Sequence, residues 1–192
     1  MTALQAAPTQ TTQTTQTTSS EFSGGFRDGF RVDRPNVADG AALWRIARDS
    51  RTLDLNSSYS YLLWCRDFAS TSAVARTEDG RVAGFVTGFL RPEDPRVLLV
   101  WQVAVDERHR GHGLAGRMLD ELVARIDRDS ELGVDTVETT IAPGNRASER
   151  LFASFAARHG ADLTREVLFE AERFPAEGEA HAPEVLHRIA PL

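Results

Sequence analysis

Hydrophobic residues recur along the chain at two spacings, which predict a mixture of helices and strands. Apolar residues recur every three or four positions over residues 114–126, which is the pattern of an amphipathic helix. The same spacing returns over residues 145–158, and Gly160 follows where a left-handed C-cap is expected. Unbroken apolar and β-branched residues over 96–105 instead predict a well-buried strand.

Shorter patterns predict the other elements. Further strands are predicted at residues 30–34, 72–76, 81–90, 134–141, 163–171 and 185–189, and further helices at 59–68 and directly after Asp39 as an N-cap. The second amphipathic helix is predicted to turn Ala147, Leu151, Phe152 and Phe155 inward. This mixed order predicts an α+β fold, in which about four helices flank a mostly antiparallel, twisted sheet of six or seven strands.

The first 25 residues differ in composition from the rest of the chain. They include the tract TQTTQTTQTTSS, which has almost no apolar side chains and so cannot offset the entropy lost on ordering. We therefore predict a disordered tail over residues 1–25 and a single domain over residues 26–192. At roughly 150 residues per domain, the length fits one domain with some additional chain.

Composition and charge narrow the range of partners. The chain has 22 basic and 28 acidic residues and a formal net charge of -6, which argues against nucleic acid because phosphate binding needs a basic face. No apolar stretch approaches the ~20 residues of a membrane span, and the first residues lack the pattern of a signal peptide. Cys65 is the only cysteine, which excludes a disulfide framework and a thiolate zinc site. These features predict a cytoplasmic protein without nucleic-acid or membrane partners.

The segment WQVAVDERHRGHGLAGRML, residues 101–119, places two glycines between a buried strand and a helix. Gly111 and Gly113 allow the backbone to approach a ligand closely. The first N–H groups of the following helix lack internal partners and have partial positive charge, so the junction is suited to a pyrophosphate, with Arg110 at its rim. Gly116 also completes a GxGxxG spacing, but a dinucleotide fingerprint belongs at the first strand of a parallel unit, and this segment lies in mid-chain.

The cosubstrate prediction follows from a resemblance that these residues show. The string RGHGLA matches the Q/R-x-x-G-x-G/A signature, so the chain resembles the GCN5-related N-acetyltransferases (GNAT). The resemblance implies the GNAT fold, acetyl-CoA as cosubstrate and no metal. It implies that the loop cradles the pyrophosphate, that the preceding strand binds the pantetheine arm, and that an Asn-led helix lies alongside. The residues so implicated are Val103, Ala104, Val105, Arg110, Gly111, His112, Gly113, Leu114, Ala115 and Asn145.

One position departs from the family pattern. Phe152 stands where many members have a tyrosine that protonates the leaving thiolate, and a phenyl ring cannot donate a proton. That role is therefore vacant or filled elsewhere, which leaves open a non-catalytic acyl-CoA-binding module.

Four shorter strings, at residues 53–59, 100–105, 138–143 and 181–186, resemble the members that acetylate the side-chain (N4) amine of L-2,4-diaminobutyrate, a step of ectoine synthesis under osmotic stress. This resemblance implies a small diamino acid as the acceptor, and the family commonly forms homodimers. Another small amine, such as a polyamine, or a protein N-terminus remains the alternative acceptor.

Direct attack of an amine on a thioester requires the neutral amine. An alkyl ammonium has a pKa near 10.4, so neutrality at pH 7 costs about 4–5 kcal/mol, supplied by a base or by desolvation. Glu138, in the centre of a predicted strand, is either that base or an exposed residue of the strand face. The backbone N–H of Val103 is the expected donor to the developing oxyanion.

The acceptor also needs a partner for its second ammonium and walls for its pocket. Asp54 is either the ammonium partner or a helix cap, and Tyr59 is either a substrate-side hydroxyl or plain core. Trp101 is either a pocket wall or core. The remaining candidates for substrate contacts are Asn56 and Ser57, whose alternative is hydrogen bonding within the loop, and His181 and Glu184 from the last loop.

Overall fold

We describe residues 25–175 and 181–192 of a computed structural model of the chain. The predicted disordered tail lies almost wholly outside these residues. The strands are β1 (Phe30–Asp33), β2 (Ala73–Thr77), β3 (Val82–Arg91), β4 (Asp94–Val105), β5 (Thr136–Ile141), β6 (Asp162–Phe169) and β7 (Glu184–Ala190). The α-helices are α1 (Gly40–Ser50), α2 (Ser58–Arg66), α3 (Leu114–Asp129) and α4 (Arg146–His159). Among the described residues, none of the helices combines the length and the apolar character needed to cross a bilayer.

The seven strands form one mixed sheet in the order β1-β2-β3-β4-β5-β7-β6. All neighbouring strands are antiparallel except β4 and β5, which are parallel. The predicted fold class, a mostly antiparallel sheet with four flanking helices, is confirmed.

Each face of the sheet has its own hydrophobic core. On one face, α3 and α4 bury Met118, Leu122 and Phe155 against β4 and β5. On the other face, α1 and α2 bury Leu43 and Tyr61 against β2 and β3. Since α1 and α2 cover only the first half of the sheet, the second half of that face is left to the functional groups described below.

Two details of the predicted helices are wrong. Asp39 makes no side-chain cap to α1. Its buried carboxylate instead accepts two hydrogen bonds from Arg76, at 2.8 and 2.7 Å. Burying a carboxylate is costly unless it is paired with an opposite charge, so this side chain binds the guanidinium and does not cap the helix. Ala147 is exposed, since α4 turns Phe152, Phe155 and Ala156 toward the core.

The parallel strands β4 and β5 separate after three residue pairs. Val97, Leu98 and Leu99 pair with Thr136, Val137 and Glu138, and no pairing is found beyond them. From residue 100 onward, β4 therefore has hydrogen-bond partners only on its β3 side within the described chain. The unpaired edge and the end of β5 form the two sides of a V-shaped cleft.

A bulge in β4 lies at the closed end of this cleft. Thr87 of β3 pairs with Gln102, whereas the next residue, Gly88, pairs with Val100, so Trp101 is the additional residue on β4. Consequently, two consecutive side chains of β4 both contact α2: the Trp101 ring lies 6.2 Å from the Trp64 ring, and Gln102 hydrogen-bonds Tyr61. A regular strand would have placed them on opposite faces.

Candidate active site

Residues 110–115, here called the cosubstrate loop, follow the short connection after β4 and include the first two residues of α3. Gly111 and Gly113 have φ values of +83° and +68°, in the region that glycine adopts without strain. Gly113 precedes α3, and no side chain caps this helix. The first N–H groups of α3 are thus left open at the positive end of the helix dipole, which fits a pyrophosphate.

The cosubstrate loop offers its backbone rather than its side chains. Leu114 is buried in the core, Arg110 turns back so that its Nε lies 3.4 Å from the Val105 carbonyl, and the His112 ring lies 5.4 Å from Phe30. A cavity of about 410 Å³ opens beside Gly113. It is lined by three arginines and by the acidic residues with which they pair, namely Arg27 with Asp28, Arg117 with Glu121 and Arg158 with Asp120.

A buried carboxylate that the sequence did not single out fixes the segment between β4 and the cosubstrate loop. Asp106 accepts hydrogen bonds from Arg108 at 2.8 and 3.0 Å and from Arg45 of α1 at 2.9 Å, and these bonds, those of Arg108 first, hold the pKa of Asp106 far below its ordinary value. Its own N–H donates to the Ala83 carbonyl at 2.8 Å. Asp106 therefore connects the segment that leads into the loop to β3 and α1.

Val103, Ala104 and Val105 lie on the part of β4 whose edge toward β5 is unpaired. Main-chain groups of this edge face the cleft, as the predictions for pantetheine binding and for the oxyanion donor require. Asn145 lies at the far side, where its side chain accepts from the Ser148 N–H at 3.2 Å and so caps α4. The contact predicted between Asn145 and the cosubstrate would therefore have to use atoms of Asn145 other than the oxygen that caps α4.

We call the face of the sheet that bears Trp101, Glu138 and Glu184 the acceptor face. The loop before α2 is attached to it by a buried hydrogen-bond chain: the Tyr61 hydroxyl donates to Gln102 at 3.0 Å, and Gln102 donates to the Asp54 carbonyl at 2.8 Å. Burial raises the pKa of Tyr61, so this hydroxyl stays protonated as a donor. Neither Tyr61 nor Gln102 was predicted from the sequence.

This attachment brings together three predicted acceptor residues that are far apart in the chain. The His181 Nε2 lies 3.9 Å from a carboxylate oxygen of Asp54 and 3.9 Å from one of Glu184. These distances are too long for direct hydrogen bonds. The His181 ring is held by stacking on Phe174, with ring centroids 3.7 Å apart. The Asp54 side chain is 93% exposed, so the cluster is open to a cationic ligand.

The remaining residues of the α2 side take different roles. The Ser57 hydroxyl accepts from the Ser60 N–H at 3.3 Å and caps α2. The role of Asn56 stays a prediction. Tyr59 is 64% exposed and Trp101 is 52% exposed, so their interpretation as core residues is wrong. The reason is that α2 buries Tyr61 and Cys65 instead, and the bulge directs Trp101 outward along the cleft.

Glu138 is almost fully buried, so its interpretation as an exposed strand residue is wrong. One of its carboxylate oxygens accepts from Arg91 at 2.9 Å and the other from Arg188 at 2.7 Å. The two guanidiniums offset the cost of burying the charge. Both oxygens of the predicted base are thus already engaged, and its catalytic role stays a prediction.

Phe152 is buried among the residues packed under α4. At this position many relatives have a tyrosine whose hydroxyl protonates the leaving thiolate of CoA. The phenyl ring of Phe152 has no hydroxyl and cannot donate that proton.

The sheet that splits between β4 and β5, with an open helix N-terminus at the split, defines an acyl-CoA-dependent acetyltransferase architecture. Residues 41–156 match the Acetyltransferase (GNAT) family, and the chain belongs to this family. The chain is 68% identical to the L-2,4-diaminobutyric acid acetyltransferase of Streptomyces avermitilis, over 86% of this chain and 90% of that protein.

Solved structures agree with this assignment. The chain is similar to the diaminobutyrate acetyltransferase EctA from Paenibacillus lautus in complex with its substrate L-2,4-diaminobutyric acid and coenzyme A, with a TM-score of 0.76 and 39% identity over 84% of this chain and 95% of that one. Ard1 from Thermoplasma volcanium has a TM-score of 0.63 at 18% identity, over 85% and 99% of the two chains, and shares the fold alone.

Proposed function

We propose that this protein transfers the acetyl group of acetyl-CoA to the side-chain (N4) amine of L-2,4-diaminobutyrate, a step of ectoine biosynthesis. The proposal rests on one observation above all, the 68% identity to a diaminobutyric acid acetyltransferase over 86% of the chain. The cleft adds physical support, because it combines a phosphate-binding helix terminus with carboxylates that suit an amine substrate.

Acetyl-CoA supplies the activated acetyl group as a thioester. In the proposed mode of binding, the pyrophosphate lies on the N–H groups that follow Gly113, and the pantetheine arm adds to the unpaired edge of β4. The Val103 N–H then stabilises negative charge that develops on the thioester oxygen, as preorganised backbone donors do. The groups concerned belong to one rigid strand–loop–helix unit, so they need little reorganisation during the reaction.

The acceptor is proposed to bind on the other side of the cleft. Asp54 and Glu184 hold its α-ammonium, His181 lies between them, and Trp101 and Tyr59 form the walls. Holding one ammonium at these carboxylates leaves the second amine free to approach the thioester. Loss of the proton from this amine costs about 4–5 kcal/mol at pH 7, and Glu138, acting through water, is the proposed base.

We also propose that the protein is a cytoplasmic homodimer that serves the response to osmotic stress, with residues 26–192 as its catalytic domain. The edge strand β6 supports association, since Val167, Leu168 and Phe169 are all exposed there. Sedimentation equilibrium tests the dimer directly. Phe169→Asp should shift the protein toward monomer, whereas an unchanged mass would exclude this edge as the interface.

The activity is tested by measuring free CoA released from acetyl-CoA with a panel of small amines. L-2,4-diaminobutyrate should give the highest kcat/KM, ahead of lysine, ornithine, putrescine and a peptide with a free N-terminus. Mass spectrometry of the product then distinguishes N4 from N2 acetylation. Higher turnover of a peptide or a polyamine would overturn the proposed acceptor, and no thiol release with any amine would overturn the proposed reaction.

A further inference from the structure

The acceptor face has a positively charged end that the proposed reaction leaves unexplained. Arg91 of β3 and Arg188 of β7 both bind Glu138, so this cluster of three has a formal charge of +1. The carboxylate is 2% exposed, whereas the Arg91 and Arg188 side chains are 44% and 47% exposed. The positive charge is therefore presented to the outside while the negative charge is enclosed.

Both arginines retain hydrogen-bond donors. Within the described residues, Arg91 donates once, to Glu138, and Arg188 donates to Glu138 and, at 3.4 Å, to Thr136. A guanidinium offers five N–H donors in a planar fork that matches a carboxylate. One arginine would be enough to neutralise Glu138, so the second guanidinium and the remaining donors are available to an anionic ligand.

The position of the cluster links it to the acceptor. Glu138 pairs with Leu99 in the last pair before β4 and β5 separate, so the cluster lies at the closed end of the cleft. Arg91 is placed on the acceptor face by its hydrogen bond to Glu138 at 2.9 Å, since the register of β3 on β4 shifts between Leu90 and Arg91.

The opposite charge lies toward the open end. On β7, Glu184 and Arg188 are four residues apart and share a face, a separation of roughly 13 Å between their Cα atoms. The acceptor face thus presents carboxylates toward the open end of the cleft and arginines toward its closed end, so it offers charged partners of both signs to an amino-acid acceptor.

We propose that Arg91 and Arg188, positioned by Glu138, bind the α-carboxylate of the acceptor and make the enzyme select an amino acid over a diamine without a carboxylate. This inference rests on the proposed function, because it assigns a partner to one group of the proposed substrate. It gives Glu138 a second task, that of holding two guanidiniums apart at a fixed spacing.

The test compares two acceptors that differ only in this group. L-2,4-diaminobutyrate has the carboxylate, and L-2,4-diaminobutyramide has a neutral amide in its place. The ratio of their kcat/KM values measures selection for the carboxylate. In Arg91→Met and Arg188→Met, kcat/KM for diaminobutyrate should fall by about 10- to 100-fold, the effect of a lost charge-assisted hydrogen bond. The value for the amide should change less than about threefold, so the ratio should fall.

Several controls separate recognition from structure. Each single variant leaves Glu138 one arginine, and Arg188→Lys should restore part of the ratio because it retains the charge. Arg96→Met removes an exposed arginine that pairs with Asp135 at the start of β4 and should leave the ratio unchanged. Calorimetric titration with acetyl-CoA checks that each variant still binds the cosubstrate.

The outcomes are distinct. An equal loss with both acceptors, or an unchanged ratio in both methionine variants, would overturn the carboxylate assignment and leave the cluster a structural ion pair. Failure of the unmodified enzyme to acetylate diaminobutyrate would instead overturn the proposed function.

Discussion

The cosubstrate loop presents main-chain groups from six consecutive residues, whereas the acceptor face presents side chains from five separate segments of the chain. At the loop, Gly113 and the start of α3 create the binding surface by backbone conformation alone. On the acceptor face, Asp54 and Glu184 become neighbours only because the sheet and the attached loop bring them together. The comparison teaches that a backbone-built site tolerates changes in side chains away from its glycines, while a side-chain-built site is sensitive to the loss of a single charged group.

The largest expected effect is at the loop. Gly113→Val places a branched side chain at φ +68°, where only glycine is unstrained, and obstructs the approach of a phosphate. We expect the apparent KM for acetyl-CoA to rise by at least about 100-fold, because several charge-assisted hydrogen bonds are lost together. Steady-state kinetics with varied acetyl-CoA give this value.

The strain itself needs a matched control. Gly80, in the hairpin between β2 and β3, has φ +82° and open space around it. Gly80→Val should cost a similar loss of melting temperature but leave KM for acetyl-CoA unchanged. If both variants raised KM equally, the effect at Gly113 would come from strain, and the pyrophosphate assignment would be wrong.

The next effect concerns the acceptor face alone. Asp54→Asn removes the charge proposed to hold the α-ammonium, which should lower kcat/KM for diaminobutyrate roughly 10- to 150-fold. The loop should not move, since Gln102 binds the Asp54 carbonyl and not its side chain. Calorimetry should show unchanged acetyl-CoA affinity.

Two results would contradict this assignment. Parallel loss of acetyl-CoA binding would make Asp54 structural, and full activity would move the ammonium to Glu184 or Glu138. Asp67→Asn, at the exposed end of α2, serves as the control for removal of a nearby negative charge.

Much of the loop was predictable from the sequence, and much of the acceptor face was not. The glycine spacing, the buried strand and the amphipathic α3 are all local patterns, so their conjunction was visible in one string of residues. Glu138 was conspicuous because a carboxylate interrupts an apolar strand. Its partners were not, because Arg91 and Arg188 lie 47 and 50 residues away and are two of 22 basic residues. Asp106, Tyr61 and Gln102 likewise acquire their roles only through tertiary contacts.

A smaller effect distinguishes two histidines of the last segment. His181 lies on the open acceptor face, whereas His187 is buried, faces Glu149 of α4 and Arg165 of β6, and has a pKa lowered by burial and then by Arg165. The folded protein therefore takes up this proton less readily than the unfolded chain. Stability that is complete above pH 6.5 should decline as the pH falls below it, by at most about 1.4 kcal/mol per pH unit.

Denaturant unfolding between pH 5 and 7.5 measures this slope. His187→Gln should flatten the curve in this range. A slope that persisted in the His187 variant would assign the effect to other groups.

The smallest expected effect is at the N-terminus. The tract within residues 1–25 has almost no apolar side chains with which to pack on the domain, so a chain that begins at residue 26 should retain its melting temperature within about 1 °C and its kcat/KM within about twofold. Thermal unfolding and the CoA-release assay check both values. A loss of several degrees would show that the tail docks on the domain.

The hydrogen bond from Gln102 reaches a main-chain oxygen at residue 54, and this has a consequence for how acceptor choice can change. Because every amino acid has that carbonyl, the loop is held in place whatever side chain stands at position 54. The residue that we propose to read the acceptor's charge is thereby separated from the residue that positions the loop. Substitutions at position 54 can therefore exchange one acceptor for another without a loss of folding, which makes this position the natural starting point for redirecting the enzyme to other amines.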